Sequence, residues 1–199
     1  MKNSSPLTPA EQELLLALAR AGLRADLGPS AAGPAADDAD LPPALERPAG
    51  AFVTLHSKGK LRGCIGSPSA GPPLARLVVD LAVSAATGDP RFPPVTMAEM
   101  DALHIEMSVL GAPVPLQHAS QIEVDRHGLI IEQGSSRGLL LPQVATEQGW
   151  DAETFLSHTC LKAGLPGDAW RDWDAGKDPD FSVEAFTAQV FGEKPAGDS

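Results

Sequence analysis

The sequence predicts an antiparallel α+β fold, and three observations carry the prediction. Two strand-like runs, Ala51-Phe52-Val53-Thr54-Leu55-His56 and Leu61-Arg62-Gly63-Cys64-Ile65, are joined by Ser57-Lys58-Gly59-Lys60, with a glycine where a hairpin turn needs positive φ. The segment from Pro72 to Ala86 repeats apolar residues at helical spacing. Helices and strands otherwise come in mixed runs without regular βαβ spacing, which disfavours a doubly wound parallel sheet. The 199 residues suit one compact domain, and 43% hydrophobic residues with a mean hydropathy of −0.07 give it a proper core. With 19 Gly, 19 Pro and only 5% aromatics, that core falls to Leu, Val, Ile and Phe, and loops are extensive.

In chain order, Thr8-Pro9-Ala10-Glu11 reads as a helix start, with Thr8 as N-cap and Glu11 closing a capping box, and the helix runs to about Leu27. Residues 28–49 are Gly, Pro, Ala and Asp with little periodicity, so a mobile loop is expected before a domain body spanning 50–191. Pairing Ser57 with Lys60 places Val53 opposite Cys64, Leu55 opposite Arg62 and Thr54 opposite Gly63, with Arg62 and Cys64 on one face. Leu74, Leu77, Val78, Leu81, Ala82 and Ala85 form the apolar stripe of the next helix, which Gly88 stops. Thr96-Met97-Ala98-Glu99 is a second capping box. Leu103 to Val109 then alternates, with Ile105 and Met107 on one face and His104, Glu106 and Ser108 on the other. Ile122–Val124, Leu129–Glu132 and Leu139–Leu141 are expected as short strands of a meander. Asp151 caps a helix running to Lys162 and ended by Gly164, Phe181 to Phe191 reads as one last strand, and residues 192–199 as a frayed tail.

Composition also excludes classes. No apolar run approaches the ~18–20 residues of a membrane span, and the N-terminus has no basic-then-apolar leader, so a cytoplasmic location is expected. Cys64 and Cys160 form no disulfide framework and are expected as free thiols. A net charge of −11 argues against non-specific binding to nucleic acid or anionic lipid. Locally, Lys58, Lys60 and Arg62 crowd three of 15 basic residues into five positions. There is no CxxC and no HExxH, so no intrinsic metal site is expected; the missing Walker A loop and GxGxxG remove the usual nucleotide motifs without excluding nucleotide binding, and the cofactor stays open.

The runs Gly50-Ala51-Phe52-Val53-Thr54-Leu55, Leu61-Arg62-Gly63-Cys64-Ile65-Gly66 and Asp89-Pro90-Arg91-Phe92-Pro93-Pro94-Val95 resemble the signature of the AMMECR domain family, whose hallmark is the LRGCIG hexapeptide. Further matches follow in Ile105-Glu106-Met107-Ser108-Val109-Leu110, His127-Gly128-Leu129, Leu141-Pro142-Gln143-Val144 and Lys162-Ala163-Gly164-Leu165, covering roughly residues 50–165. The resemblance implies two β-α halves sharing one barrel-like, mainly antiparallel sheet with flanking helices, the hexapeptide lying near a cleft. It also implies a bacterial or archaeal protein of the AmmeMemoRadiSam system type, acting with Memo-like and radical SAM partners. CxxxCxxC is absent here, so any iron–sulfur cluster belongs to a partner.

Read residue by residue, Cys64 is the thiol in the locally cationic segment, where positive charge favours the nucleophilic thiolate; a small half-buried packing residue is the competing reading. Glu106, on a polar strand face, is a candidate general base or orienter, with a salt bridge as the alternative. Arg62 and Arg91 are candidate anchors for an anionic small molecule. Asp89 and Arg91, stiffened by three prolines, either present a ligand site or brace one another. Thr54, in the first motif, and His127, in a turn before Gly128, complete the expected substrate-facing set. Two functions follow: a small-molecule enzyme or enzyme subunit with a cationic cleft around Leu61–Gly66, or a non-catalytic adaptor that presents the same surface to proteins.

Overall fold

The computed structural model describes residues 6–28, 41–69 and 71–193. In chain order the elements are α1 (Pro9–Leu27), α2 (Pro43–Glu46), β1 (Ala51–Ser57), β2 (Lys60–Ser67), α3 (Leu74–Thr87), a 3-10 helix (Met97–Ala102), β3 (Leu103–Leu110) and β4 (Val114–Pro115). A second 3-10 turn (Ala119–Gln121) precedes β5 (Gly128–Gln133), β6 (Ser136–Leu140), α4 (Pro142–Gln148), α5 (Ala152–Lys162), α6 (Trp170–Asp174), β7 (Phe181–Phe186) and β8 (Ala188–Gly192). The result is a mixed α+β architecture, as the sequence predicts.

The strands make two four-stranded sheets, ordered β2-β1-β3-β8 and β4-β7-β5-β6, and the described residues divide into two compact units, one within 4–110 joined by 189–193 and the other 111–188. The expectation of one shared, barrel-like sheet is therefore corrected: among the described residues there are two sheets, and neither closes on itself. The run Phe181–Phe191, expected as one strand, breaks at Thr187, whose carbonyl is taken by Gly111 N–H at 2.8 Å, so that β7 and β8 serve different sheets.

In the first unit, Thr8 caps α1: Glu11 N–H donates to its Oγ1, and Glu11 Oε2 accepts from Thr8 N–H at 2.7 Å. Leu15, Ala19 and Leu23 of α1 and Leu74, Val78, Leu81 and Ala82 of α3 pack together and against Val53, Leu55, Ile105 and Met107. Burial of each large aliphatic side chain contributes about 1.5–3 kcal/mol. Helices thus cover one face of this sheet, and the alternate residues of β1 and β3 form the other.

The hairpin register differs from the expected one. Thr54 pairs with Cys64, Val53 with Ile65 and Leu55 with Gly63, while a bulge after Leu55 leaves Arg62 outside the pairing. Lys58 and Gly59 both have positive φ, 51° and 73°, as a tight two-residue hairpin turn of right-handed twist requires. That turn fixes Ser57 against Lys60, and the bulge absorbs the extra residue that regular pairing would have carried to the end of the strand.

In the second unit β5 pairs with β6 and β7, and Phe155, Leu156 and Cys160 of α5 bury against Leu129, Ile131 and Val183. Asp151 caps α5, accepting from Thr154 N–H at 2.8 Å. Ile122–Val124 is not a strand. Arg126 and His127 N–H both donate to Glu123 O, and Glu123 N–H donates to His127 Nδ1, so a closed turn consumes the groups a ladder would need. Leu141 likewise ends β6 as the N-cap of α4 rather than continuing the strand. Of the expected mobile segment 28–49, residues 29–40 lie outside the described residues, whereas α2 buries Leu45 completely. Of the expected frayed tail, Gly192 closes β8 and Glu193 accepts from Ile105 N–H at 2.9 Å; 194–199 lie outside the described residues. Among the described residues no helix is long and apolar enough to cross a membrane.

Candidate functional site

The hexapeptide Leu61–Gly66 lies on β2, an edge strand, and each of its middle residues has a distinct environment. Gly63 faces α3: a Cβ there would stand 2.0 Å from Ala85 O, so helix and strand approach only because the side chain is missing. Gly66 similarly lies under the Phe52 ring. Ile65 packs on the helix-covered core, which leaves Cys64 on the opposite, polar face.

On that face Glu106, Thr54 and Cys64 form one row across β3, β1 and β2, since Thr54 is the register partner of both others. Thr54 Oγ1 donates to Cys64 Sγ at 3.4 Å. Glu106 stands one strand beyond Thr54, with its backbone about 10 Å from that of Cys64 given the ~4.8 Å strand spacing. Among the described residues no hydrogen bond or ion pair engages the Glu106 carboxylate, and Cys64 is a free, half-buried thiol.

The Asp89–Arg91 segment closes the open edge of β2. Asp89 Oδ2 accepts from Cys64 N–H at 2.9 Å, and Arg91 Nη2 donates to Cys64 O at 3.4 Å, so side chains take the place of a neighbouring strand. Arg91 in turn grips Asp89 twice, Nε to Oδ1 at 2.9 Å and Nη2 to Oδ2 at 2.7 Å. The Arg91 guanidinium beside it, with the Cys64 and Arg91 N–H groups, holds the Asp89 carboxyl well below the usual carboxylate range. Arg91 itself stays more than half exposed.

Arg62 does not join this row. Its Nε meets Glu99 Oε1 at 2.8 Å, its Nη1 donates to Pro93 O at 2.8 Å and its Nη2 to Pro94 O at 3.3 Å, which ties β2 to the loop before the 3-10 helix. Glu99 is lowered to about 2 by Arg62 first and by the Thr96 N–H second. Neither arginine pairs with Glu106, and each positive charge beside Cys64 is matched by a carboxylate. The first unit thus brings together Cys64, Thr54 and Glu106 on one sheet face and Asp89 and Arg91 from the loop at the edge of β2, whereas His127 belongs to the other unit and is engaged in its own turn.

Two features escaped the sequence reading. Glu99 was legible as a capping residue, but not as the partner of Arg62, 37 residues away. His56 pairs with His104 across β1 and β3, and its place two residues beyond Thr54 in the same alternation was the available signal.

The family model for AMMECR1 matches residues 16–191. The chain belongs to the AMMECR1 family. It is 47% identical over 195 residues to a protein of Methanothermobacter thermautotrophicus, covering 95% of this chain and 97% of that one. It is 42% identical over 199 residues to a protein of Methanosarcina acetivorans, with 96% of each covered. The crystal structure of the uncharacterized protein PH0010 from Pyrococcus horikoshii is similar at 41% identity and a TM-score of 0.78, covering 94% of each chain. These AMMECR1-family relatives are archaeal, which gives no support to a bacterial source. The hexapeptide that marks the resemblance is accounted for locally: two glycines for close packing, an arginine for a cross-link, and the cysteine for the open face.

Proposed function

We propose that this AMMECR1-family protein is a small-molecule enzyme or enzyme subunit whose reactive group is the Cys64 thiol. The observation that carries the reading is the hydrogen bond from Thr54 Oγ1 to Cys64 Sγ, on a residue whose N–H and C=O are both held by Asp89 and Arg91. The hydroxyl aimed at sulfur and the fixed backbone keep the thiol oriented as a nucleophile toward the open face of the sheet. Glu106, beyond Thr54 in the row, would act on bound substrate rather than on the thiol itself, as a base or orienting group. The half-exposed Arg91 guanidinium would offer an edge to an anionic substrate group while keeping its bond to Asp89. Memo-like and radical SAM partners rest on the family resemblance alone, and any cluster chemistry would be theirs.

The competing adaptor reading draws on Arg62, whose guanidinium is spent entirely on Glu99 and two proline carbonyls, as a purely architectural motif would have it. Alkylation separates the two. Iodoacetamide should modify Cys64 faster than a thiol of the unfolded chain, while Cys160, fully buried and with its thiol pushed up by burial, stays slow. Thr54→Val keeps the shape and removes the donor, and should slow Cys64 alkylation roughly threefold to tenfold, the worth of one net hydrogen bond. An ordinary Cys64 rate that is unchanged in Thr54→Val would assign the thiol to packing and favour the adaptor.

A further inference from the structure

We propose that a second place on the 4–110 unit, the groove between α1, the β1–β2 turn and the start of β3, binds a small organic anion through a phosphate or carboxylate head. The inference is independent of the thiol reading, since none of the residues that carry it touches Cys64. The groove encloses about 810 Å³, within the ~300–1,000 Å³ of small-molecule sites. His56 and His104, register partners on β1 and β3, line it side by side, and a Cβ at Gly192 would stand 3.3 Å from His104 Nε2.

The charges in the lining favour an anion. Arg20 is committed to Glu193 and to the carbonyls of Met100 and Leu103, so that pair is neutral. Arg24 and Lys58 remain, both exposed and, among the described residues, in no ion pair; Asp101 is the one further acid in the lining. Two unpaired cations and two imidazole donors thus converge on one concave surface of a chain whose net charge is −11.

Lys58 adds an independent observation. It is the one non-glycine residue with positive φ among the described residues, at a turn position where Asn, Asp or Gly is favoured. A lysine kept in a strained turn at the wall of a groove points to a use for its ammonium group.

The test follows the histidine Cε1–H resonances of the intact protein during titration with phenyl phosphate, with phenylacetate and with neutral benzyl alcohol. Saturable shifts at His56 and His104 with at least one anion are expected, weakening as salt rises from about 50 to about 300 mM. The tighter of the two probes identifies the head group. Lys58→Asn should lower that affinity about fivefold while leaving the melting temperature unchanged or raised, because asparagine suits the turn better. Arg24→Gln should weaken binding similarly. The proposal is overturned if neither anion shifts both histidines, if benzyl alcohol shifts them equally, or if both variants bind as tightly as the parent.

Discussion

Asp89 is 5% exposed and shows how much one side chain does here: it neutralises Arg91, accepts from the Arg91 N–H and holds the Cys64 N–H. Asp89→Asn keeps the shape but removes the charge facing Arg91, so the melting temperature should fall, and fall further in Asp89→Ala, where Cys64 N–H also loses its acceptor. A scanning fluorescence melt reads both. Acid sensitivity follows from the same chemistry. A carboxylate whose pKa is lower folded than unfolded contributes stability that is complete above the unfolded value and is lost as pH falls through the folded one. Glu99, ordinarily 4.5 and held at about 2, and Asp89, held well below its ordinary 3.8, therefore withdraw support below about pH 4.5. The urea midpoint should drop between about pH 4.5 and 2, and Glu99→Gln should flatten that drop while lowering the midpoint at pH 7.

At the scale of elements, β2 and α3 fit because Gly63 lacks a Cβ. Gly63→Ala drives a methyl into the Ala85 carbonyl, which is backbone and cannot swing away, so it should cost about 1–3 kcal/mol or more in denaturant unfolding. A cost below about 0.5 kcal/mol would mean that the helix and strand separate easily. α1, the hairpin and α3 were legible because each carries its own local signal: the Thr8–Glu11 box, a glycine turn, an apolar stripe ended by Gly88. The register was not legible, because a bulge is decided by what packs above and below the strand, and only Gly63 under Ala85 and Arg62 against Glu99 specify it. Ile122–Val124 misled for a related reason, since two apolar residues around a glutamate suit a turn as well as a strand once Glu123 and His127 bond each other.

For the molecule as a whole, two compact units allow each to be followed separately. Trp150, Trp170 and Trp173, all the tryptophans of the chain, lie in the 111–188 unit, so their fluorescence reports that unit's unfolding. Phe155 is fully buried there, and Phe155→Ala should cost about 3–5 kcal/mol in a tryptophan-monitored urea transition. Amide exchange in β1 and α3 reports the other unit directly.

What the sequence determined by itself was the α+β class, the family, the three strongest elements and the placement of Glu106 on the polar face of its strand, whereas Cys64 was read opposite Val53 and came to face Thr54 only through the bulged register. Those follow from period, caps and motif, which act over a few residues at a time. Only the tertiary structure decided that the strands form two sheets, that Arg62 belongs to Glu99 and Arg91 to Asp89, that Thr54 donates to Cys64, and that His56 and His104 share a groove. Each of these couples polar groups or strands through space, and which groups meet is set by how strands align and helices cover them, a choice that no local pattern encodes.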